Sequence, residues 1–433
     1  MRYTKSNKKT LLISRLISIS SFIVFLVVGC LIGCLFFIRP ATSEAEMREL
    51  TKFPSFTLTS FLNGDYFSDI SLWYSDTYPG RDGLIAMQHN VESLYGIHTG
   101  KQMVGQVKQG DDIPKKDTDV KKVEKVELPE NYAFDQAIQN QIMNGLYIED
   151  GAAYSVYSFN QNAAAIYANA LNEAGKELDG IADVYSLLVP NNSCLLSEKT
   201  YESLGGSDQK QAIDYYFSLY ENVTGIPVIE DLQKHREDEY LYFRTDHHWT
   251  SMAAYHAYKN FCEQKGIKAH KLKDFESMKF SPFLGTFYAE LQLPEMAANP
   301  DYVMAYIPNS TNDMVYWDEN GNEVPWKVIN DVSTWNENSG YYCFIGGDKP
   351  LSIIDNPDKD DGSSVLVIKE SYGNSFVPYL VDHYDKVYIA DFRYTNIDIT
   401  DYVKENKIDD VIFENNISII GSEDVASMVA DLI

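Results

Sequence analysis

Apolar positions in this chain follow two regimes. Leu16 to Ile38 is an almost unbroken apolar run of about 23 residues, roughly 35 Å as a helix, which is enough to cross a bilayer. Beyond it the apolar residues break into shorter periods. Phe67, Ile70, Leu72 and Trp73, and then Leu84, Ile85, Met87, Val91 and Leu94, have helical spacing. From Leu146 onward helices and strands alternate. Ala163 to Leu178 reads as a helix, Val184 to Val189 as a strand, Gln209 to Leu219 as a helix and Pro227-Val228-Ile229 as a short strand. A helix follows, bearing Met252, Ala253, Tyr255, Ala257, Phe261 and Cys262, with Thr250 placed to cap it. The segment of about 280–338 is irregular, rich in Pro, Gly, Asn and aromatic residues, and reads as a loop-rich or β-ribbon insertion. Regularity then returns: strand Val365 to Ile368, a helix after Ser371, strand Val387 to Ala390, helix Ile399 to Lys404, strand Val411 to Phe413. That order predicts an α/β fold with a doubly wound parallel sheet and right-handed crossovers, preceded by one transmembrane helix.

Charge gives the run an orientation. Arg2, Lys5, Lys8, Lys9 and Arg15 precede it without an acid, so residues 1–15 read as a cytoplasmic basic tail, 16–38 as a single-pass signal anchor, and everything after Arg39 as extracytoplasmic. A cleaved signal peptide would have a shorter core. The boxes ending in Cys30 and Cys34 resemble lipoprotein cleavage sites, but the chain stays apolar after Cys34. Five of the 36 basic residues lie before the run, so the remaining 31 face 63 acids, a net −32. Such a surface repels polyanions and excludes nucleic acid as a partner. Cys194, Cys262 and Cys343 are too few and too widely spaced for a disulfide framework or a metal ribbon. Residues 39–109 form a lead-in. Residues 110–130, dominated by Lys, Asp and Glu, read as a linker or arm before the main domain, 131–433.

Candidate chemistry is concentrated in Arg244-Thr245-Asp246-His247-His248-Trp249-Thr250. If this stretch is extended, Asp246 and His248 share a face and His247 points away. A carboxylate there can hold the imidazole Nδ1 proton and leave Nε2 free as a base, which calls for a nucleophile. About 120 residues on, Ser371 falls just past the strand Val365 to Ile368, where open α/β sheets place their nucleophiles. Ser375, in Gly373-Asn374-Ser375, is the alternative, although the final glycine of a nucleophile elbow is missing. Two other readings stand beside a catalytic one: a structural ion pair between Asp246 and His248, and metal binding by Asp246, His247 and His248. No HExxH or second His-rich segment accompanies the latter.

These motifs, with Arg48-Glu49-Leu50, Tyr74 to Arg81, Leu187 to Asn191, Phe344 to Asp348, Lys369 to Pro378 and Asp391-Phe392-Arg393-Tyr394, resemble the DHHW protein family. More distantly they resemble the SGNH-hydrolase-like domains of alginate O-acetyltransferases. The resemblance implies Asp246 as orienting acid, His248 as general base and Ser371, followed by Tyr372, as nucleophile. Tyr372, Asn374, Arg393 and Trp249 are expected around the substrate; packing beneath the dyad is the other reading of Trp249, and a surface salt bridge that of Arg393. It differs at Glu370, where the family has Asp, and at Asp348, where a carboxylate replaces an amide that could donate a hydrogen bond. Backbone N–H groups at the Ser371 turn are expected to hold the oxyanion. The implied activity is O-acetyl transfer to, or acetyl-ester hydrolysis of, a cell-surface polysaccharide, without cofactor or metal, beside a multi-spanning membrane acyltransferase as acetyl donor. A non-catalytic cell-envelope binding or assembly protein that keeps the fold is the other class.

Overall fold

The structure, a computed structural model, describes residues 5–33, 39–43, 48–84, 87, 100–114, 123–129, 132, 134, 138, 141–143, 145–318 and 321–433. The end of the apolar run at 34–38, Ile85, Val91, Leu94, and residues 115–122 and 130 of the charged segment lie outside these residues. The chain divides into two units, Met1–Ile97 and His98–Ile433.

In the second unit, the run Ser-Val-Leu-Val-Ile-Lys forms a strand buried at all of its positions. Continuous burial without alternation means that both faces are covered, as for a parallel strand between helices. Eight strands make this sheet: β1 (Asp183–Val189), β2 (Thr224–Gly225), β3 (Asp313–Trp317), β4 (Glu323–Lys327), β5 (Leu351–Asp355), β6 (Ser364–Lys369), β7 (Lys386–Asp391) and β8 (Asp410–Asn416), in the order β4-β3-β5-β7-β6-β8-β1-β2. From β7 to β2 every pairing is parallel. The predicted parallel core is therefore present. β3, β4 and β5 extend one edge antiparallel, and β3 and β4 come from the segment expected to be an insertion.

Helices α1 (Gln161–Glu177), α2 (Gln209–Ser218), α3 (Ser251–Lys265), α4 (Ile399–Asn406) and α5 (Glu423–Ala430) cover the sheet. Tyr185 and Ser186 are consecutive in β1 and so project to opposite faces. Tyr185 meets Phe261 of α3, whereas the Ser186 hydroxyl pairs with that of Tyr220, just after α2. Helices thus lie on both faces. β6 leads to β7 on one side, and β7 leads to β8 on the other. The carboxyl end of β6 is therefore the point at which the strand order reverses, where such sheets open a crevice.

Three local expectations are corrected. Pro227–Ile229 is not a strand: Pro227 has no N–H to give a ladder, the strand lies at Thr224–Gly225, and Ile229 opens a helix, Ile229–His235. Thr250 precedes α3, but its hydroxyl donates to the Tyr240 carbonyl at 2.6 Å and caps nothing. After Ser371 the chain makes 3₁₀ turns (Ser371–Ser375, Val377–Tyr379, Val381–His383) in place of an α-helix, consistent with the weak helix formers Gly373, Asn374 and Ser375 and with Pro378.

The described ends of the charged segment are held by neighbouring backbone and side chains. The Asp111 amide donates to Phe159 O, the Val126 amide to Ser427 Oγ, and Lys125 pairs with Asp431. In the first unit, helix Lys5–Gly33 contains a 22-residue stretch, Leu12–Gly33, long and apolar enough to cross a membrane. Almost all of that stretch faces outward, and near its end the Tyr78 hydroxyl donates to Gly29 O.

Candidate active site

The chain from Leu241 to Thr250 folds back on itself. Tyr242 bridges Trp249, and the Thr250 amide donates to Leu241 O. Asp246 sits at the tip of this turn with its carboxylate directed inward. Oδ1 accepts the His248 amide at 2.9 Å and lies 2.6 Å from His248 Nδ1. Oδ2 accepts the Thr286 amide at 2.8 Å and the Thr286 hydroxyl at 3.1 Å. Burial alone would raise the proton affinity of Asp246, but the neighbouring imidazoles of His248 and His247 and these hydrogen bonds hold its carboxyl well below the usual range. Asp246 therefore stays ionised, and His248 Nδ1 is the nitrogen that keeps its proton.

His248 Nε2 lies 2.8 Å from Ser371 Oγ. Ser371 stands two residues past β6 and is partly exposed, whereas the next nine residues are buried. The three candidate residues thus form one chain of hydrogen bonds, with the hydroxyl at its open end. Ser375 is buried, and its hydroxyl contacts Tyr341 and Tyr372 O.

His247 does not point away. Because the segment turns where extension was expected, its ring lies 3.8 Å from that of His248, with its Nδ1 2.6 Å from Thr286 Oγ1. Burial and the adjacent His248 push its pKa down to about 3, so it stays neutral. Tyr341 stacks on His248 at 4.0 Å between centroids and donates to Ser371 O at 3.0 Å. The base is held between two rings.

Of the residues expected around the substrate, Tyr372 and Trp249 are buried and bonded to backbone: the Tyr372 hydroxyl donates to His247 O at 2.6 Å, and Trp249 Nε1 to Tyr372 O at 2.9 Å. They brace the Asp246 turn against the Ser371 turn. Asn374 is also buried. Its Nδ2 donates to Asp348 Oδ1, and its Oδ1 has no partner. Arg393 is engaged with Asp391 and with Asp348 at 2.7 Å, and Lys369 reaches the same two carboxylates at 3.0 and 3.2 Å. Asp348, one of the two positions at which the resemblance differs, is thus balanced by two cations. These hold its carboxyl well below the usual range although burial acts the other way.

Two of the expected oxyanion donors are engaged elsewhere. The Tyr372 amide donates to Glu370 Oε2 at 2.9 Å and the Gly373 amide to Glu370 O at 3.0 Å. Glu370 is fully buried, and burial raises its pKa even though Asn416 N donates to its other oxygen.

Sequence reasoning missed the support from 280–338. Asp301 accepts the amides of Arg244 and Thr245, the Thr245 hydroxyl, Arg244 Nε and the Tyr240 hydroxyl. Thr286 holds Asp246, and a Cβ on Gly285 would lie 2.2 Å from Asp246 Cβ. Only Gly285-Thr286, at the start of the helix Thr286–Leu291, left a local trace in the sequence.

Asp246, His247 and His248 lie close enough together to be considered as metal ligands. Donor atoms around a tetrahedral ion at 2.0–2.1 Å stand roughly 3.3 Å apart. The 2.6 Å between Asp246 and His248 is a hydrogen-bond distance, and His248 Nε2 is directed at Ser371.

A model of the DHHW protein family matches residues 46–141 and 133–390. No curated protein matches the sequence. Among solved structures, a DHHW family protein from Eubacterium siraeum has a TM-score of 0.59 at 27% identity, over 65% of this chain and 94% of its own. Bacillus cereus PatB1, solved with a sulfonyl adduct, has a TM-score of 0.55 at 20% identity, over 64% and 95%. The O-acetyltransferase domain of Pseudomonas putida AlgJ is 14% identical over 63% and 90%, with a TM-score of 0.36.

Proposed function

The chain belongs to the DHHW protein family, and from that premise we propose that it is a membrane-anchored, extracytoplasmic serine O-acyltransferase acting on acetyl groups of a cell-surface polysaccharide. The observation that carries this reading is the continuous path from Asp246 Oδ1 through His248 to Ser371 Oγ, 2.6 and 2.8 Å long at its two links. Ser371 Oγ attacks the acyl carbonyl of the donor while His248 Nε2 takes its proton. His248 then returns the proton to the departing alcohol, leaving an acyl-Ser371 ester. In the second half His248 deprotonates a sugar hydroxyl, which attacks that ester and frees Ser371. Asp246, kept ionised by its surroundings, stabilises the imidazolium that forms in each half. Donors for the oxyanion are either groups other than the amides of Tyr372 and Gly373 or these amides after Glu370 moves. Tyr342, exposed next to Tyr341, offers a ring face for a sugar.

Transfer and hydrolysis use the same triad and differ in whether a sugar hydroxyl or water reaches the acyl-enzyme. The N-terminal helix favours transfer. An enzyme outside the cytoplasm needs a donor delivered through the membrane, and a tether keeps the domain beside a multi-spanning acyltransferase at roughly millimolar effective concentration. Base-releasable acetate on the surface polymer of cells carrying Ser371→Ala tests this. A fall supports transfer, a rise supports the esterase, and no change supports a binding or assembly protein.

A further inference from the structure

Away from Ser371, a second group of histidines and carboxylates joins the helix Ile229–His235 to α3. Asp231 and His235 are four residues apart on that helix and so share a face. The chain turns after His235, with the Glu239 amide donating to His235 O, and brings Glu239 alongside. His256, from α3, is buried among them at 3% exposure, whereas the side chains of Asp231 and His235 are about one-third open to solvent. One candidate ligand atom from each of Asp231, His235 and His256 falls within 4.8 Å of the others.

The two nitrogens of His256 have different surroundings. Nε2 lies 2.6 Å from Glu239 Oε2, a hydrogen bond that fixes the proton on Nε2. Nδ1 is then a lone pair. It is buried without a hydrogen-bond partner, and the nearest charged atom is another acceptor, Asp231 Oδ2, at 3.7 Å. A buried lone pair that faces a carboxylate oxygen is left unsatisfied unless a cation lies between them. Their separation is close to the roughly 3.3 Å between ligand atoms on a tetrahedral ion at 2.0–2.1 Å. A carboxylate on the far nitrogen of a ligating histidine is the arrangement that orients such a ring and raises its basicity.

We propose that Asp231, His235 and His256 Nδ1 bind a divalent transition-metal ion of the zinc type, with Glu239 orienting His256 and water completing the coordination. Two imidazoles and a carboxylate suit borderline ions of this kind. The site is structural. Glu239 and His256 bracket the segment that carries the Asp246–His248 turn, so an ion here pins both ends of that segment without touching Ser371.

The test uses the full chain in detergent, stripped with a chelator and titrated with Zn²⁺. The expected results are one equivalent bound and a higher melting temperature. His235→Ala and Asp231→Asn, both at part-exposed positions, should abolish the equivalent, and Glu239→Gln should weaken it by about 10–100-fold. His248→Ala should retain it, which separates this site from the Asp246-His247-His248 group. Absence of a bound equivalent would overturn the proposal. An equivalent that survives in His235→Ala and Asp231→Asn but is lost in His248→Ala would overturn it as well. Neither result bears on acylation of Ser371.

Discussion

Two carboxyl groups near Ser371 are held in opposite states by their surroundings. Asp246 accepts four hydrogen bonds and stays ionised. Glu414, at the carboxyl end of β8 and paired in register with Lys369, is fully buried with neither oxygen hydrogen-bonded. Burial first, and the neighbouring Glu370 second, raise its pKa well above the usual value. A raised folded-state pKa makes its contribution to stability complete below the unfolded value of about 4.3, and that contribution is lost as pH rises through the folded value. Glu414→Gln, which needs no proton, is therefore expected to raise the melting temperature relative to wild type at pH 8. That gain should shrink toward pH 5, each factor of ten in proton affinity being worth about 1.4 kcal/mol. A difference between the two proteins that does not vary with pH would contradict the assignment. The Asp246–His248 pair was legible because two residues of opposite character stand at i and i+2. His247 was misplaced because that spacing fixes a face only in an extended chain, and here five consecutive residues from Arg244 to His248 bend.

At the scale of elements, Ser371 depends on β6 and Asp246 depends on the segment after the strand Glu276–Phe283. The loop at Gly285 packs so closely on Asp246 that any side chain there displaces the carboxylate. Gly285→Ala is expected to keep the fold, by circular dichroism, and to lower turnover by about 100-fold or more, the cost of shifting a catalytic group by about 1 Å. Wild-type turnover in a folded Gly285→Ala protein would show that Asp246 does not need its present position. Parallel strands were legible from the sequence where burial on both faces leaves an uninterrupted apolar run, as at Val365 to Ile368 in β6 and Val411 to Phe413 in β8, whereas the buried polar end of β8, Glu414 to Asn416, was not. For about 280–338 a β-ribbon was one of the two readings, but the pairing of Glu276–Phe283 with Asp301–Ile307 and the antiparallel edge of the sheet were not legible, because their burial alternates or is incomplete and their turns are irregular. Asp301 reaches the Asp246 segment from 56 residues away, and no local period records such a contact.

For the whole molecule, the account requires that the N-terminal helix spans the membrane and the acidic unit His98–Ile433 lies outside. Protease added to intact cells should degrade that unit and leave an N-terminal tag protected. Loss of the tag with the inside membrane face sealed would reverse the orientation. The central claim is chemical, and it is tested most directly by reacting the full-length protein with a sulfonyl fluoride and following intact mass. A single adduct is expected, mapping to Ser371 and absent from Ser371→Ala, and forming more slowly in Asp246→Asn by up to about 10⁴-fold, the scale of losing a triad carboxylate. An adduct on Ser375, or a rate on Ser371 indifferent to Asp246→Asn, would contradict the triad.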